Sequence, residues 1–368
     1  MEKTLNVCYQ EKPCYDIVYS KDFSDLADEV KKIGFENRKI CLITDSNVDG
    51  LYSSEVCDIL NKVAKTVIKC VIPAGEANKN LDEINKIYEQ LILNRFDRHD
   101  LIVALGGGVV GDMSGFTAAT YLRGIAFIQI PTTLLAQSDS SIGGKTGVDY
   151  KGYKNMVGAF YMPKLVYMNI STLNTLDERQ FASGFAEVMK HGIIKDSEFY
   201  TWLIDNMYEI DNRDIDTLLE MVYRSCLVKK AVVEKDPTEK GERVLLNFGH
   251  TLGHAIEKYK NFELMHGECI SLGFVAAAFI SWKKGLLSME EYYEVRDMLV
   301  PFNLPISLES IDADEVIKLA KSDKKADADK IKFILIKKIG RAVIDTTVTD
   351  DEMRAALEEI DWSKKANE

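Results

Sequence analysis

Apolar residues follow two different rhythms along the chain, one in each half. The first half alternates short β-rich runs with helical stretches, and its predicted strands are Lys39–Thr44, Val67–Ile72, Leu101–Leu105 and Phe127–Ile130. Leu101–Leu105 is continuously apolar, which is typical of a strand buried in a parallel sheet. Leu81–Asn94 instead has the period of an amphipathic helix. Strand, helix and strand in this order predict βαβ units in an open sheet.

The second half is dominated by long helical patterns. The predicted helices are Asp177–Lys195, Asp214–Glu234, Gly249–Tyr259 and Glu268–Lys284. A β-rich run returns only at Ile331–Ile336, and 368 residues are many for one core. We therefore predict an α/β N-terminal domain with a Rossmann-like parallel sheet, residues 1–175, followed by a mainly α-helical domain, residues 176–368.

Composition narrows the function classes. A net charge of -12 argues against nucleic acid as the main partner, because phosphate backbones are held by excess Lys and Arg. Seven scattered cysteines without a CxxC motif suit reduced thiols. The N-terminus shows no apolar signal segment, and Cys269–Trp282 is too short to span a bilayer. These features predict a cytoplasmic protein with a small-molecule partner.

A glycine-rich turn follows the strand Leu101–Leu105. Gly106, Gly108 and Gly111 fit the GxGxxG pattern, in which glycines let backbone N–H groups approach a pyrophosphate. The usual acidic residue about 20 positions downstream is missing. Asp45, at the end of an earlier strand, is a candidate for the ribose hydroxyls instead. The alternative is an ordinary tight turn between strand and helix.

A second glycine loop, Asp139–Gly147, combines hydroxyls, glycines and Lys145, and Lys154 follows it. It lacks the spacing of a P-loop, yet its backbone N–H groups and Lys145 could bind a phosphate. The alternative is a polar surface loop.

Three of the five histidines lie within one short segment: His250, His254 and His266. His250 and His254 are one helical turn apart, so they share a helix face and could converge on one metal ion. Glu187 stands in an otherwise apolar helix, where a buried carboxylate needs a cation. The alternatives are capping or core histidines and a surface glutamate.

Polar and basic residues concentrate on the same segments. Lys190 follows Glu187 by three positions, while Arg243 and Asn247 lead into His250. Together with Lys229 they suit a substrate that carries phosphate and carboxylate groups. The alternative for each lysine is a solvated helix face.

Taken together, the motifs identify a family. In chain order they are Pro73–Lys79, Leu105–Asp112, Tyr121–Ile125, Pro131–Gln137, Gly143–Gly147, Gly184–Glu187 and Asn247–His254. Their joint occurrence, from about residue 40 to residue 340, resembles dehydroquinate synthase, a member of the sugar-phosphate cyclase superfamily. The resemblance implies an NAD-binding domain followed by a metal domain, with zinc as the expected metal and cobalt as the alternative.

The resemblance also assigns roles to individual positions. The implied metal ligands are Glu187, His250 and His266. The implied NAD-contacting residues are Asp45, Glu76, Lys79, Gly107, Gly108, Asp112, Thr132, Thr133, Lys145 and Lys154. The implied catalytic and substrate-contacting residues are Asp139, Lys145, Lys190, Lys229, Arg243, Asn247 and His254, the last as a proton shuttle. Arg123 is implied to reach the neighbouring site of a homodimer, and Lys324 or Lys325 to contact the substrate carboxylate.

The implied reaction converts 3-deoxy-arabino-heptulosonate 7-phosphate to 3-dehydroquinate and phosphate in the shikimate pathway. It proceeds by transient oxidation by NAD, phosphate elimination, reduction and an intramolecular aldol. The rivals are a cyclase of the deoxy-inosose or valiolone type, a metal-dependent polyol dehydrogenase and a nucleotide-sensing protein. Arg243 favours a carboxylated substrate, and Lys145, Lys154 and Arg123 favour a phosphorylated one.

Overall fold

The computed structural model describes residues 3–237, 239, 241–323 and 331–365. The chain divides into two compact units. The first comprises Met1–Leu176 and Leu218–Cys226, and the second comprises Asp177–Thr217 and Leu227–Glu368. The predicted domain boundary between residues 175 and 176 stays a prediction. Leu218–Cys226 belongs to the first compact unit, although it lies within the predicted second domain.

The strands fall into one large sheet and two hairpins. Their bounds are β1 Lys3–Tyr9, β2 Lys12–Ser20, β3 Lys39–Asp45, β4 Thr66–Ile72, β5 Leu101–Gly106, β6 Ala126–Pro131, β7 Lys145–Tyr150, β8 Tyr153–Phe160, β9 Leu165–Asn169, β10 Phe333–Lys338 and β11 Arg341–Asp345. Within the described residues, seven of them form a sheet in the order β1-β2-β9-β6-β5-β3-β4. Only β1 and β2 pair antiparallel in that sheet.

This sheet is buried on both faces, as the apolar runs predict. Along β3, Ile40 and Leu42 belong to one hydrophobic cluster, whereas Cys41 and Ile43 belong to the cluster on the opposite face. The alternation follows from the two-residue period of a strand, and burial of both faces is typical of parallel sheets. The prediction of an N-terminal parallel sheet is therefore confirmed.

Helices occur in both units and make up most of the second. The α-helices are α1 Leu26–Lys32, α2 Ser46–Val48, α3 Ser54–Asn61, α4 Leu81–Leu93, α5 Gly108–Thr120, α6 Glu178–Lys195, α7 Ser197–Asp205, α8 Met207–Asp211, α9 Ile215–Lys235, α10 His250–Tyr259, α11 His266–Lys283, α12 Met289–Asp297, α13 Ala313–Asp323, α14 Asp350–Glu359 and α15 Trp362–Lys365. Short 3-10 or π segments are Asp49–Ser53, Glu76–Asn78, Tyr121–Arg123, Ala136–Ser140, Ile170–Thr175, Glu242–Asn247 and Val300–Phe302. None of the helices in the described part of the chain has both the length and the apolar character that crossing a bilayer requires.

Close backbone approach brings α6, α10 and α11 together in the second unit. Gly273 of α11 lies against the chain just before α10, and a Cβ there would be 2.0 Å from the carbonyl oxygen of Gly249. Gly267, at the start of α11, lies against α6, where a Cβ would be 2.1 Å from the Ser183 carbonyl oxygen. A real Cβ would force these helices apart, because both contacts are with backbone. These glycines therefore set the spacing of the three helices that carry the predicted metal ligands.

Candidate active site

The three predicted metal ligands converge in the second unit. Glu187 lies on α6, His250 opens α10 and His266 opens α11. The Oε1 atom of Glu187 is 3.5 Å from His250 Nε2 and 3.2 Å from His266 Nε2. One carboxylate oxygen and two imidazole nitrogens thus face a common point, a donor set that zinc and similar divalent ions prefer.

Neighbouring groups orient two of these side chains. The Nδ1 atom of His250 lies 2.9 Å from the Phe248 carbonyl oxygen, so an Nδ1–H donates there and leaves the Nε2 lone pair for a metal. The ammonium of Lys190 binds the other carboxylate oxygen of Glu187, Oε2. Both side chains of this ion pair are almost fully buried. Glu187 is therefore presented to the common point through Oε1.

Burial and neighbouring charges shift the pKa values of all three proposed ligands. Burial opposes ionisation of Glu187, but Lys190 and the two histidines outweigh it and hold the pKa of this carboxyl well below its usual range. Burial lowers the pKa of His250 well below its usual value, which favours the neutral imidazole that binds metals. Burial alone would also lower the pKa of His266, but the hydrogen bond and charge of Glu187 raise it. A divalent ion here would compete with the proton of His266 for the same atoms.

His254 lies beside the cluster. Its ring centroid is 5.0 Å from that of His250 and 5.9 Å from that of His266. A second group of possible ligand atoms, one each from His254, Glu257 and His266, lies within 4.8 Å of one another. Glu257 was missed in the sequence, although its spacing of three residues after His254 places it on the same helix face.

The predicted basic residues of the second unit are buried. Lys229 on α9 is 5% exposed and Arg243 is 2% exposed. The guanidinium of Arg243 donates to the Pro237 carbonyl oxygen at 2.7 Å, and Asn247 donates to Glu239 Oε1 at 3.1 Å. Burial of cationic side chains is costly unless they are paired, and the alternative of a solvated helix face is wrong for both lysines, Lys190 and Lys229.

The glycine turn occupies the switch point of the sheet. β5 lies between β3 and β6 in the sheet. From β3 the chain continues to β4 on one side, whereas from β5 it continues to β6 on the opposite side. In open parallel sheets, ligands bind outside the carboxyl ends of the strands where the order reverses. Asp45 ends β3, and Gly106 ends β5 two residues before α5 begins at Gly108. The strand order therefore brings Asp45 and the glycine turn to the same edge of the sheet.

This edge combines closely packed glycines with buried hydroxyl groups. A Cβ at Gly107 would be 3.1 Å from the Thr133 side chain, and one at Gly108 would be 3.0 Å from Ser140 Oγ. The hydroxyls of Thr44 and Thr132 are buried and have no hydrogen-bond partner among the described residues. Buried unsatisfied hydroxyls call for an absent partner, and a dinucleotide offers many such groups. The residues at this edge therefore fit NAD.

Two other predicted NAD residues bind each other. Lys79, which is 4% exposed, donates to Asp112 Oδ2 at 2.6 Å and to Asn155 Oδ1 at 2.6 Å. Glu76 Oε1 lies 4.0 Å from the same ammonium. Lys79 thus connects the first turns of α5 with the β7–β8 hairpin. The sequence predicted neither this hairpin nor the contact with Asn155, because the polar run after Gly144 has no regular strand period.

The remaining predicted residues lie on exposed or half-buried segments. Asp139 lies in the π segment Ala136–Ser140, Lys145 opens β7 and is exposed, and Lys154 lies in β8 and is half-buried. Arg123 is exposed on the turn after α5. Lys324 and Lys325 lie outside the described residues. The roles of all these residues stay predictions.

We expect the variant Gly267→Ala to disturb the metal cluster through helix spacing alone. The added methyl group would meet the backbone of Ser183 and push α11, with His266, away from α6, with Glu187. Overpacking of this kind destabilises by about 1–3 kcal/mol. The midpoint temperature of thermal unfolding and the zinc content after dialysis should both decrease. Gly50→Ala is the control, because a Cβ at Gly50 meets nothing within 4 Å; an equal loss in both variants would contradict the prediction.

Comparisons with known proteins agree with this geometry. Two solved structures share the fold over nearly the whole chain, each with a TM-score of 0.87. One is a 2-deoxy-scyllo-inosose synthase complexed with carbaglucose-6-phosphate, NAD+ and Co2+, 25% identical, covering 97% of this chain and 100% of that chain. The other is a 2-epi-5-epi-valiolone synthase from Streptomyces hygroscopicus subsp. jinggangensis 5008 with NAD+ and Zn2+ bound, 26% identical, covering 99% and 100%. The fold and the site therefore place the chain among the sugar-phosphate cyclases.

Sequence comparison narrows this class. Residues 69–183 match the 3-dehydroquinate synthase N-terminal domain, and residues 184–326 match the C-terminal domain of the same family. The 3-dehydroquinate synthase of Acetivibrio thermocellus is 47% identical over 349 residues, which is 95% of this chain and 96% of the relative. The chain belongs to the 3-dehydroquinate synthase family, and its activity is that of a phosphate-eliminating lyase. The identity with the other cyclases is much lower, so the rival activities fit less well.

Proposed function

We propose that the chain makes 3-dehydroquinate and phosphate from 3-deoxy-arabino-heptulosonate 7-phosphate, with a divalent metal held by Glu187, His250 and His266. The observation that carries the proposal is the convergence of Glu187 Oε1 with the two Nε2 atoms, at 3.5 Å and 3.2 Å. Three protein ligands of this kind leave a coordination position for substrate, which is the pattern of a catalytic zinc site. Zinc is the first choice and cobalt the second, in keeping with the ions bound by the two similar cyclases.

NAD is the proposed second cofactor, at the carboxyl edge of β3, β5 and β6. Asp45 would hold the ribose hydroxyls there, while Gly107 and Gly108, which have no Cβ, would let backbone N–H groups approach the phosphates. The hydroxyls of Thr44 and Thr132 would gain the hydrogen-bond partners that they lack among the described residues. Two cyclases of the same fold bind NAD+, which supports the proposal.

The chain's own residues supply binding, orientation and proton movement. When bound, the metal supplies Lewis-acid polarisation of substrate oxygens, and NAD takes up and returns a hydride. The buried cations Lys229 and Arg243 would bind anionic substrate groups, with Arg243 as the carboxylate partner because its planar guanidinium binds carboxylates through two hydrogen bonds. His254, beside His250 and His266, would hold and move a proton.

A homodimer in the cytoplasm completes the proposal. The turn that carries Arg123 adopts a rare conformation, since Leu122 and Arg123 both have positive φ angles, 51° and 67°. Large exposed apolar side chains lie on this turn and on the β7–β8 hairpin: Leu122, Tyr150, Tyr153, Met156 and Phe160, each at least 45% exposed. Such side chains are typical of a surface that a partner covers. A reducing compartment fits the seven scattered cysteines.

Mixed dimers test whether Arg123 serves the neighbouring site. We expect Arg123→Ala and His266→Ala to be nearly inactive separately, because the first lacks a phosphate contact and the second a metal ligand. After co-refolding in equal amounts, about half of the dimers carry both variants, and one of their two sites is complete, so about a quarter of wild-type activity should return. Activity that stays at the level of the separate variants would contradict a role for Arg123 across subunits.

Phosphate release tests the activity itself. The purified chain should release inorganic phosphate from 3-deoxy-arabino-heptulosonate 7-phosphate when NAD and zinc are present, without net formation of NADH. Chelation before the assay should stop the release, and added zinc should restore it. Sedoheptulose 7-phosphate and glucose 6-phosphate are the comparison substrates, and turnover of either one without turnover of the heptulosonate would contradict the proposal.

A further inference from the structure

Two of the three proposed metal ligands have an identified orienting partner. The Phe248 carbonyl oxygen holds Nδ1 of His250, and Lys190 holds the second oxygen of Glu187. The third ligand, His266, presents Nε2 to the common point, since this atom is 3.2 Å from Glu187 Oε1. Its Nδ1 atom is therefore the one on which an orienting partner would act. Metal-binding histidines almost always donate this second ring N–H to a carboxylate, a carbonyl group or water.

Glu257 stands in the right place to be that partner. It lies on α10, seven residues after His250 and three after His254, so all three side chains share one helix face. Its side chain is buried, with 6% of the residue exposed. One of its carboxylate oxygens lies within 4.8 Å of a ring nitrogen of His266 and of a ring nitrogen of His254. A carboxylate buried beside two imidazoles, within the same cluster, suits a role in holding them.

We propose that Glu257 is a positioning residue for the metal site, which accepts a hydrogen bond from the ring N–H of His266 and so keeps Nε2 of His266 directed at the metal. The separation allows this, because hydrogen bonds in active sites are often long before the ligand binds and shorten in the complex. The carboxylate selects the tautomer that leaves Nε2 as a lone pair, and it makes the imidazole a stronger donor to the metal. Glu257 does for His266 what the Phe248 carbonyl oxygen does for His250.

The same residues allow a different arrangement, in which His254, Glu257 and His266 hold a second cation. His266 already faces Glu187 through Nε2 at 3.2 Å, so it would have to bridge two ions through both nitrogens. A bridging imidazole must also lose its second ring proton, and one metal with Glu257 as the hydrogen-bond acceptor requires no such loss. The geometry therefore favours one metal with Glu257 as a positioning residue, and metal counting separates the two arrangements.

Metal affinity tests the proposal without relying on turnover. Glu257→Met keeps a similar volume but removes the charged acceptor. We expect this variant to bind one zinc or cobalt ion per chain about 10- to 100-fold more weakly than the wild type in competition with a chelator. The visible spectrum of the cobalt-loaded variant should also change, because His266 can rotate. Glu257→Gln, whose amide oxygen accepts the same hydrogen bond, should recover most but not all of the affinity.

Glu263→Met is the matched control, since Glu263 is an exposed glutamate in the loop before α11, and it should bind metal like the wild type. The inference rests on the proposed ligand set, so the two must fail differently. A wild-type chain that binds no metal would contradict the ligand set. One tightly bound metal with the same affinity in Glu257→Met, or in Glu257→Leu if the first variant does not fold, would overturn only the positioning role. Two ions in the wild type and one of unchanged affinity in the variant would favour the second cation.

Discussion

Replacing His266 with alanine is expected to remove the bound metal and nearly all turnover. The imidazole supplies one of three donor atoms, and its Nε2 is 3.2 Å from the only Glu187 oxygen that Lys190 leaves available. Two remaining donors bind a divalent ion too weakly to keep it through dialysis. A catalytic metal contributes several kcal/mol to the transition state, so kcat should fall by about 10³-fold or more.

The same loss is expected for His250→Ala, for a related reason. His250 is pre-oriented by the Phe248 carbonyl oxygen, and burial keeps its imidazole neutral by lowering its pKa. Zinc content measured by atomic absorption, together with phosphate release, checks both variants. His99→Ala is the control, because His99 is exposed in the first unit. Full metal occupancy in both the His266→Ala and the His250→Ala variants would refute the ligand assignment.

The helices that carry these ligands could be predicted from the sequence within one or two residues at most ends. The sequence pattern puts Asp177 inside the first of them, whereas in the structure its side chain caps α6 by accepting a hydrogen bond from the backbone N–H of Gln180. The predicted start at Glu268 was late, because α11 begins at His266. Helix ends depend on side-chain caps rather than on the apolar period, so a periodicity argument misplaces them by a residue or two.

The β7–β8 hairpin could not be predicted. Its strands, Lys145–Tyr150 and Tyr153–Phe160, contain glycines and several exposed apolar residues, so no alternation of apolar and polar positions marks them. The close pairing explains a glycine of the predicted phosphate loop, because a Cβ at Gly147 would be 2.7 Å from the Val157 carbonyl oxygen. Glycines that looked like a phosphate loop are thus partly required by strand packing, which a linear motif does not reveal.

The candidate site likewise contains residues that could be predicted from the sequence and residues that could not. The convergence of His250, His266 and Glu187 followed from helical spacing and from the family resemblance, and the structure brings their donor atoms together. Glu257 lies in the same helix as His250 but was missed, because lysines follow it in the sequence, whereas Glu187 stands in an otherwise apolar helix. Asp45 looked out of place for a dinucleotide site until the strand order put β3 beside β5. Long-range pairing, not local pattern, decides such cases.

The largest effect on stability is expected from Lys79→Met. Charges of Asp112 and Glu76 outweigh burial and raise the pKa of Lys79, so the lysine stays charged in the folded state. Burial raises the pKa of Asp112, and Lys79 offsets only part of this, so the carboxylate depends on the lysine. Removing one partner of a buried pair costs about 3–5 kcal/mol, and because the Asp112 side chain keeps 22% exposure we expect the lower end, about 3 kcal/mol.

The loss should extend to NAD binding. Lys79 joins Asp112, in the first turns of the glycine-led helix α5, to Asn155 of the β7–β8 hairpin, so its removal loosens the edge at which NAD is proposed to bind. Urea unfolding and NAD titration measure the two effects. In Lys79→Met/Asp112→Asn, the carboxylate nearest to the lysine is removed together with it, so much of the stability should return. Lys31→Met, which removes an exposed lysine paired with the exposed Asp28, should change neither quantity. If Lys79→Met unfolds at the same urea concentration as Lys31→Met, the ion pair does not stabilise this edge, and the glycine turn must be rigid without it.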